Sequence, residues 1–178
     1  MNLKKYTPLL ILSPLVVLLD QLSKLWIVKN LRIGESWVIL PDLFYIGHIK
    51  NRGAAFGMLA NWNNDARPWI FHLITAAALV ALFVIYVQSR PEQRRVQVPL
   101  ALILGGALGN LIDRVQHGEV VDFLVFHWYE RVADFTLLGK HFRFALSWPA
   151  FNVADSAITC GALFLVLTVL FSKEKDRS

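Results

Sequence analysis

The 178-residue chain contains a single cysteine, Cys160, and this scarcity excludes an internal disulfide. No metal-ligand spacing surrounds Cys160, and the His-Glu-x-x-His pattern of zinc peptidases is missing. The sequence also lacks a Gly-x-Ser-x-Gly nucleophile motif and a phosphate-binding loop. We therefore expect a protein that works without a metal or any other cofactor, and we expect no serine-hydrolase chemistry.

Charged residues are scarce as well, at 17%, whereas 56% of the residues are hydrophobic. With a mean hydropathy of +0.48, the chain is too apolar for an ordinary soluble domain. Segments of about 20 apolar residues are long enough to cross a bilayer, although the third candidate is shorter and needs Val96 or the turn at Asp113 to complete it. The pattern predicts an all-α polytopic membrane protein, a single membrane-embedded domain over residues 1–178. Its four spans are about Leu9–Val28, Trp69–Val87, Val98–Ile112 and Val153–Phe171.

The net charge of +5 would suit a nucleic-acid partner, but the distribution of the cations argues against one. They crowd three short segments: before the first span, between the second and third, and after the fourth. Such clusters mark the cytoplasmic side, so both termini are expected inside and the loops at about 29–68 and 113–152 outside. The six tryptophans fall in or beside these outer loops, where indole rings would contact lipid headgroups. The cations of the three segments are Lys4, Lys5, Arg90, Arg94, Arg95, Lys173, Lys175 and Arg177.

The outer loops carry short strand patterns. In the first, residues 37–40 and 43–49 are rich in β-branched and aromatic side chains, and Pro41-Asp42 separates them. In the second, Glu119–Phe126 reads as a strand, and Phe135–Leu146 as a hairpin that turns near Gly139-Lys140. We therefore predict a small β element outside the membrane.

Two aspartates stand out because they lie in apolar sequence at the same membrane edge. Asp122 follows the third span, which runs outward, and Asp155 begins the fourth span, which runs inward. A carboxylate is costly in such a setting, so it needs a reason to be there. If the two approach closely, both cannot stay ionised, and the pair can then act as a general acid and a general base. We expect these two residues to carry the chemistry.

Structural explanations for these acids compete with the catalytic one. Asp155 is the third residue after a predicted helix cap at Asn152, where an acid simply interacts favourably with the helix dipole. Asp122 could be a strand residue that points at water. Asp113 competes for a place in the pair, but the adjacent Arg114 favours a structural ion pair, so we interpret Asp113 as a brace.

Asp20 and Lys24 form another charged pair, inside the first span. They are one helical turn apart with the acid first, which is the favourable order. The pair is either simply self-neutralising or a buried support that fixes the first span against the site. In the third span, the run from Gly105 to Asn110 is rich in small residues, which indicates tight contact with another helix.

Two other classes of function fit parts of this pattern. Intramembrane acids and lysines suit a small transporter or proton relay, but the inner halves of spans two, three and four contain none. A noncatalytic assembly subunit would use the outer loops as a docking surface. Such a subunit would tolerate the loss of both Asp122 and Asp155, whereas a peptidase would not.

Five motifs together make the sequence similar to one known family. They are Asp20-Gln21-x-x-Lys24, Asn51-x-Gly53-Ala54-Ala55-Phe56, Gly105-Gly106-Ala107-x-Gly109-Asn110-x-x-Asp113-Arg114, Val120-Val121-Asp122-Phe123 and Phe151-Asn152-x-Ala154-Asp155-Ser156. In this order, and over nearly the whole chain, they resemble the bacterial lipoprotein signal peptidase, signal peptidase II.

The resemblance implies an inner-membrane aspartyl endopeptidase with four spans and an extracytoplasmic β-cradle. Its substrate would be a prolipoprotein, cut just before a cysteine that carries diacylglycerol, and its inhibitor would be the cyclic peptide globomycin. The catalytic aspartates of the family match Asp122 and Asp155. Its supporting or substrate-contacting residues match Asp20, Lys24, Asn51, Gly53, Gly106, Asn110, Asp113, Arg114, Asn152 and Ala154.

One departure from the family concerns the segment between the two aspartates, which is longer than usual. The hairpin predicted at Phe135–Leu146 accounts for most of the extra length. If it folds outward, the aspartates are unaffected; if it folds inward, substrate access changes. The sequence leaves both arrangements open.

Overall fold

The computed structural model describes residues 3–51, 67–137 and 139–175, and over these ranges the chain is mostly helical. There are four helices and two pairs of strands: one pair lies between the first and second helices, and the other between the third and fourth. In chain order the elements are α1 (Leu3–Asn30), β1 (Ser36–Leu40), β2 (Phe44–Asn51), α2 (Arg67–Gln88), α3 (Arg94–His117), β3 (Val120–Leu137), β4 (Lys140–Ser147) and α4 (Val153–Lys175).

Three helices of the described ranges are long and apolar enough to cross a membrane. They are the Lys4–Asn30 part of α1, the whole of α3 and the Val153–Phe171 part of α4; in α2 the apolar helix Leu73–Gln88 is shorter. The third predicted span ended at Ile112, but α3 continues to His117 and so gains the length that the sequence pattern lacked. It ends at Gly118, whose φ of +73° is readily adopted by glycine.

Helix α3 lies at the centre of the helical part and contacts the other three helices. Its glycines make the approach possible: a Cβ added to Gly105 would lie 2.9 Å from the Cα of Ser13 in α1. A Cβ on Gly106 would collide with the carbonyl oxygen of Ala154 in α4. The small-residue surface predicted on the third span is therefore confirmed as a close helix contact.

The four strands form an antiparallel sheet in the order β1-β2-β3-β4, which confirms the predicted strand segments and the predicted hairpin. Asp42 takes a φ of 62° between β1 and β2, at the predicted break. At the other end of β2, Asn51 pairs with Val120 and Ile49 with Asp122. This register brings the end of β2 beside the first residues of β3.

The first four residues of β3, Val120 to Phe123, are buried. Val121 and Phe123 pack with Ile27 and Leu31 at the end of α1. Because neighbouring strand residues point to opposite faces, the side chain of Asp122 points away from this apolar cluster.

The second half of β3 pairs with β4 in the predicted hairpin, which is longer than the sequence suggested. Leu137 is the partner of Lys140, and Gly139 in the turn has a φ of +74°. Within the described ranges, β4 contacts no element other than β3. Of the two arrangements left open by the sequence, the hairpin follows the outward one.

The contact at Gly106 gives a prediction about stability. Gly106→Ala places a methyl group against the Ala154 carbonyl and should destabilise the protein by about 1–3 kcal/mol, because packed helices relax little. Gly47→Ala is the matched control, since its added Cβ would meet its neighbours at an ordinary 3.5 Å. Unfolding midpoints in mixed micelles measure both; equal midpoints for the two variants would contradict the tight contact.

Candidate active site

Asn152 caps α4 and shares two hydrogen bonds with Asp155. The Asp155 backbone N–H donates to Asn152 Oδ1 at 2.9 Å, and the Asn152 backbone N–H donates to Asp155 Oδ2 at 3.2 Å. This reciprocal pair is a capping box, so the predicted cap is present. The cap does not use the whole carboxylate, however: Asp155 Oδ1 accepts a bond of 2.7 Å from Asn110 Nδ2.

Asp122 is almost completely buried, with 1% of its surface exposed. Its Oδ2 accepts a hydrogen bond from Asn51 Nδ2 at 2.9 Å, and its Oδ1 accepts one from Asn152 Nδ2 at 2.8 Å. The alternative interpretation, a strand residue that points at water, is therefore wrong.

A single residue thus joins the two aspartates. Asn152 binds Asp122 through its side-chain amide and Asp155 through its backbone and side-chain oxygen. The same amide nitrogen also lies 3.1 Å from Asn110 Oδ1 and 3.3 Å from the Val121 carbonyl. Two acids from distant parts of the chain consequently meet at one asparagine.

Electrostatics distinguishes Asp122 from an ordinary carboxyl. The pKa of Asp122 is raised from 3.8 to about 6, chiefly by burial and also by the negative charge of Asp155. Hydrogen bonds from Asn51 and Asn152 and the charge of Lys24 act in the opposite direction. Near neutral pH, Asp122 can therefore carry a proton in an appreciable fraction of molecules.

Behind this pair lies a buried cation, Lys24. Its Nζ is 2.7 Å from Asp20 Oδ2, 2.9 Å from Asp113 Oδ2 and 3.0 Å from Asn110 Oδ1. The ion pair predicted between Asp113 and its neighbour Arg114 is wrong, because the ion-pair partner of Asp113 is Lys24 of α1. Helix packing decides the partner, because it brings α1 against the face of α3 that carries Asp113.

The network continues from Asp20 into α4. Asp20 Oδ1 accepts the backbone N–H of Ala154 at 2.9 Å. Gln21 donates to Asp113 Oδ1 at 2.8 Å and to the Gly109 carbonyl at 3.2 Å. This residue was not among the predicted site residues. Its signal in the sequence was a second polar side chain beside Asp20 within an apolar span.

Arg114 supplies positive charge to the same region. It is half-buried, and the negative charges of Asp155, Asp122 and Asp113 all act on its guanidinium. Its guanidinium therefore lies within electrostatic range of both aspartates.

The structure brings most of the predicted site residues together. Gly53 lies outside the described residues, and Gly106 contributes through its contact with Ala154. Hydrogen bonds and ion pairs link Asp20, Lys24, Asn51, Asn110, Asp113, Asp122, Asn152, Ala154 and Asp155.

Removing the buried cation should be strongly destabilising. Lys24→Met leaves Asp20 and Asp113 buried with their negative charges uncompensated, at an expected loss of about 3–5 kcal/mol. Lys29→Met, at an exposed position in the last turn of the same helix, is the control and should stay within about 0.5 kcal/mol of the parent. Unfolding in mixed micelles gives both values, and equal losses would contradict the role of Lys24 as a buried counter-ion.

The raised pKa of Asp122 predicts a pH-dependent stability. Because the pKa is higher in the folded protein than in the unfolded chain, Asp122 stabilises the fold below about pH 4, and this contribution disappears as the pH rises through about 6. The stability of the parent relative to Asp122→Asn should fall by on the order of 3 kcal/mol over this range. A difference that does not change with pH would show that Asp122 ionises as freely in the fold as in the unfolded chain.

Two carboxyl groups bridged by one amide beside apolar helices have an arrangement suited to a general acid and a general base, the chemistry of aspartic-type hydrolases. Comparison with known proteins identifies the family. Residues 12–171 match the family model described as signal peptidase (SPase) II. The chain belongs to the signal peptidase II family.

Individual relatives agree with this assignment. The lipoprotein signal peptidase of Syntrophotalea carbinolica is 44% identical, with 94% of this chain and 93% of the relative covered. That of Brevibacillus brevis is 39% identical, with coverages of 94% and 97%. A solved structure described as a bacterial membrane enzyme superimposes with a TM-score of 0.73 at 31% identity, covering 91% of this chain and 92% of that one.

Proposed function

We propose that this chain removes the signal peptide from diacylglyceryl-modified prolipoproteins with Asp122 and Asp155 as its catalytic pair. The family is one of aspartic-type peptidases, and the relatives named above are lipoprotein signal peptidases. The observation that carries the residue assignment is the position of Asn152, which binds both carboxyl groups. No other pair of acids in the described ranges is connected in this way while one of its members remains partly exposed.

The reaction needs one protonated and one ionised carboxyl group. The ionised group removes a proton from a water molecule, and the protonated group donates to the oxygen of the scissile carbonyl. The product is a tetrahedral diol, which then collapses with cleavage of the C–N bond. General acid and base help of this kind contributes roughly 10²–10⁴ in rate, and no covalent enzyme intermediate forms.

The substrate explains why such costly acids lie near lipid. A prolipoprotein reaches the enzyme with its signal helix and its diacylglycerol chains still in the bilayer. Lateral entry would leave the acyl chains among membrane lipids while the bond before the modified cysteine reaches Asp122 and Asp155. Globomycin, the inhibitor associated with the family, is expected to occupy the same site.

The proposed topology has four spans in the bacterial inner membrane, with α2 as the second of them. Both termini lie in the cytoplasm, and the sheet forms an extracytoplasmic cradle with the catalytic pair at the outer face. The clusters of lysine and arginine at the opposite ends of the helices support this orientation. The exposed apolar side chains of α1 and α4, among them Leu18, Leu22 and Leu163, support their contact with lipid.

Asn substitutions test the catalytic pair. Asp122→Asn and Asp155→Asn keep the shape of each side chain but remove its ability to exchange a proton, so each should lower the cleavage rate by at least about 10²-fold. The assay is cleavage of a diacylglyceryl-modified prolipoprotein by purified protein. Asp134→Asn is the control, because Asp134 is exposed on the distal hairpin and paired with His141, and it should cleave at the parent rate.

Near-normal turnover by either site variant would remove the proposed pair. Circular dichroism and detergent unfolding should show that both variants are folded, so that a lost rate reports chemistry. Proton flux in liposomes provides a separate check, since a proton relay would conduct and a peptidase would not.

A further inference from the structure

The two aspartates have unequal surroundings, and the inequality assigns their roles. We propose that Asp122 holds the proton of the resting pair and acts as the general acid, while Asp155 is the ionised general base. We further propose that Asn110, held by Lys24, is the positioning residue that keeps Asp155 ionised. This assignment rests on the proposed catalytic pair and goes beyond it, because the pair alone does not say which member carries the proton.

Asp155 is placed where a negative charge is stabilised. It lies in the first turn of α4, where the helix dipole favours an anion. Its Oδ2 accepts the Asn152 backbone N–H at 3.2 Å. A backbone N–H group can only donate, so this hydrogen bond always favours the carboxylate form of Asp155.

The second donor to Asp155 is the side-chain amide of Asn110, and the charge of Lys24 fixes the orientation of this amide. The ammonium group of Lys24 can only donate hydrogen bonds, so the side-chain atom of Asn110 that faces it at 3.0 Å must be the oxygen. Asn152 Nδ2 approaches the same oxygen at 3.1 Å. The NH₂ end of Asn110 must therefore face Asp155, to which it donates at 2.7 Å. Through Asn110, the buried ammonium of Lys24 prevents Asp155 from meeting an acceptor at this oxygen.

Asp122 receives less support for a negative charge. It lies on a strand, which has only a small dipole, and it is nearly completely buried. The Asn152 amide nitrogen that donates to it has two hydrogens but faces three acceptors: Asp122 Oδ1, Asn110 Oδ1 and the Val121 carbonyl. Asn51 Nδ2 is the other donor, at 2.9 Å.

The charged groups around Asp122 do not change the conclusion that a negative charge is better supported on Asp155 than on Asp122. Lys24 of α1 attracts a negative charge on Asp122, but it is already neutralised by two nearer carboxylates. Arg114 of α3 interacts with both catalytic acids and so does not choose between them. Asp155 of α4 repels a charge on Asp122. With one proton available to the pair, Asp122 is the acid that takes it.

The proposed steps balance over one cycle. Asp155 takes a proton from water as the water oxygen bonds to the scissile carbon, and Asp122 gives its proton to the carbonyl oxygen. In the collapse, Asp122 regains a proton from a diol hydroxyl while Asp155 delivers its proton to the leaving nitrogen. The C–N bond breaks, an acid and an amine leave, and the pair returns to its starting state.

Two matched amide deletions test the assignment through the pH profile of kcat/KM. Asn110→Ala removes a donor to Asp155, so the acidic limb should move to higher pH by about one unit and the basic limb should stay in place. Asn51→Ala removes a donor to Asp122, so the basic limb should move up by a similar amount and the acidic limb should stay. A role in folding alone would lower the rate without moving either limb.

Other results would overturn the assignment without touching the proposed function. If Asn110→Ala moves the basic limb and Asn51→Ala the acidic limb, the two roles are reversed. If each variant moves both limbs equally, or neither limb, the proton is not localised by these amides. In all these cases Asp122→Asn and Asp155→Asn would still be inactive, whereas an active Asp→Asn variant would remove the catalytic pair itself.

A second measurement needs no activity, in case the alanine variants do not fold. Carboxyl ¹³C NMR on aspartate-labelled Asp155→Asn and Asp122→Asn, each referenced to the double variant, follows the remaining acid of the pair. The acid retained in Asp155→Asn should titrate at the higher pH. The reverse order, or equal midpoints, would contradict the assignment.

Discussion

The buried ammonium of Lys24 is the contact on which the site depends. Removing a lysine and two aspartates from water is costly, and the cost is offset only when every charge finds partners at close range. Lys24 meets this condition with Asp20 of its own helix and with Asp113 and Asn110 of α3. Because the partners come from two helices, the pair α1 and α3 has one favourable arrangement rather than a range of them.

Asp20 and Asp113 extend this constraint to the elements that carry the proposed catalytic pair. Asp20 accepts the backbone N–H of Ala154, which fixes the first turn of α4 one residue before Asp155. Asp113 accepts the backbone N–H of Val121 at 3.2 Å, which fixes β3 one residue before Asp122. Each acid of the proposed catalytic pair thus directly follows a backbone group held by the network. The main chain beside Asp122 and beside Asp155 is therefore held in place by buried carboxylates. Such support suits a site whose geometry must be correct to a fraction of an ångström.

The sequence predicted the parts of this arrangement that depend on local composition. Acids within apolar stretches identified Asp122 and Asp155, and the Asn152 cap followed from its place before an apolar run. The partner of Asp113 could not be predicted in this way, since Arg114 is adjacent in sequence while Lys24 lies on another helix. Which faces of two helices meet depends on packing, here on the close approach at Gly105, and a one-dimensional pattern does not specify the rotation of one helix against another.

The segment between the two aspartates, expected to be longer than is usual in the family, is compatible with this geometry because of where the chain returns. Phe151 forms two backbone hydrogen bonds with Leu124, at 2.8 and 3.0 Å, and so closes the hairpin at its base. Asn152 follows immediately and Asp155 three residues later, whatever the length of the excursion. Extra residues lengthen β3 and β4 beyond this closure, past the register shift that begins at His127. An insertion at this point changes the far end of the hairpin and leaves the number of residues from the closure to Asp122 and to Asp155 unaltered.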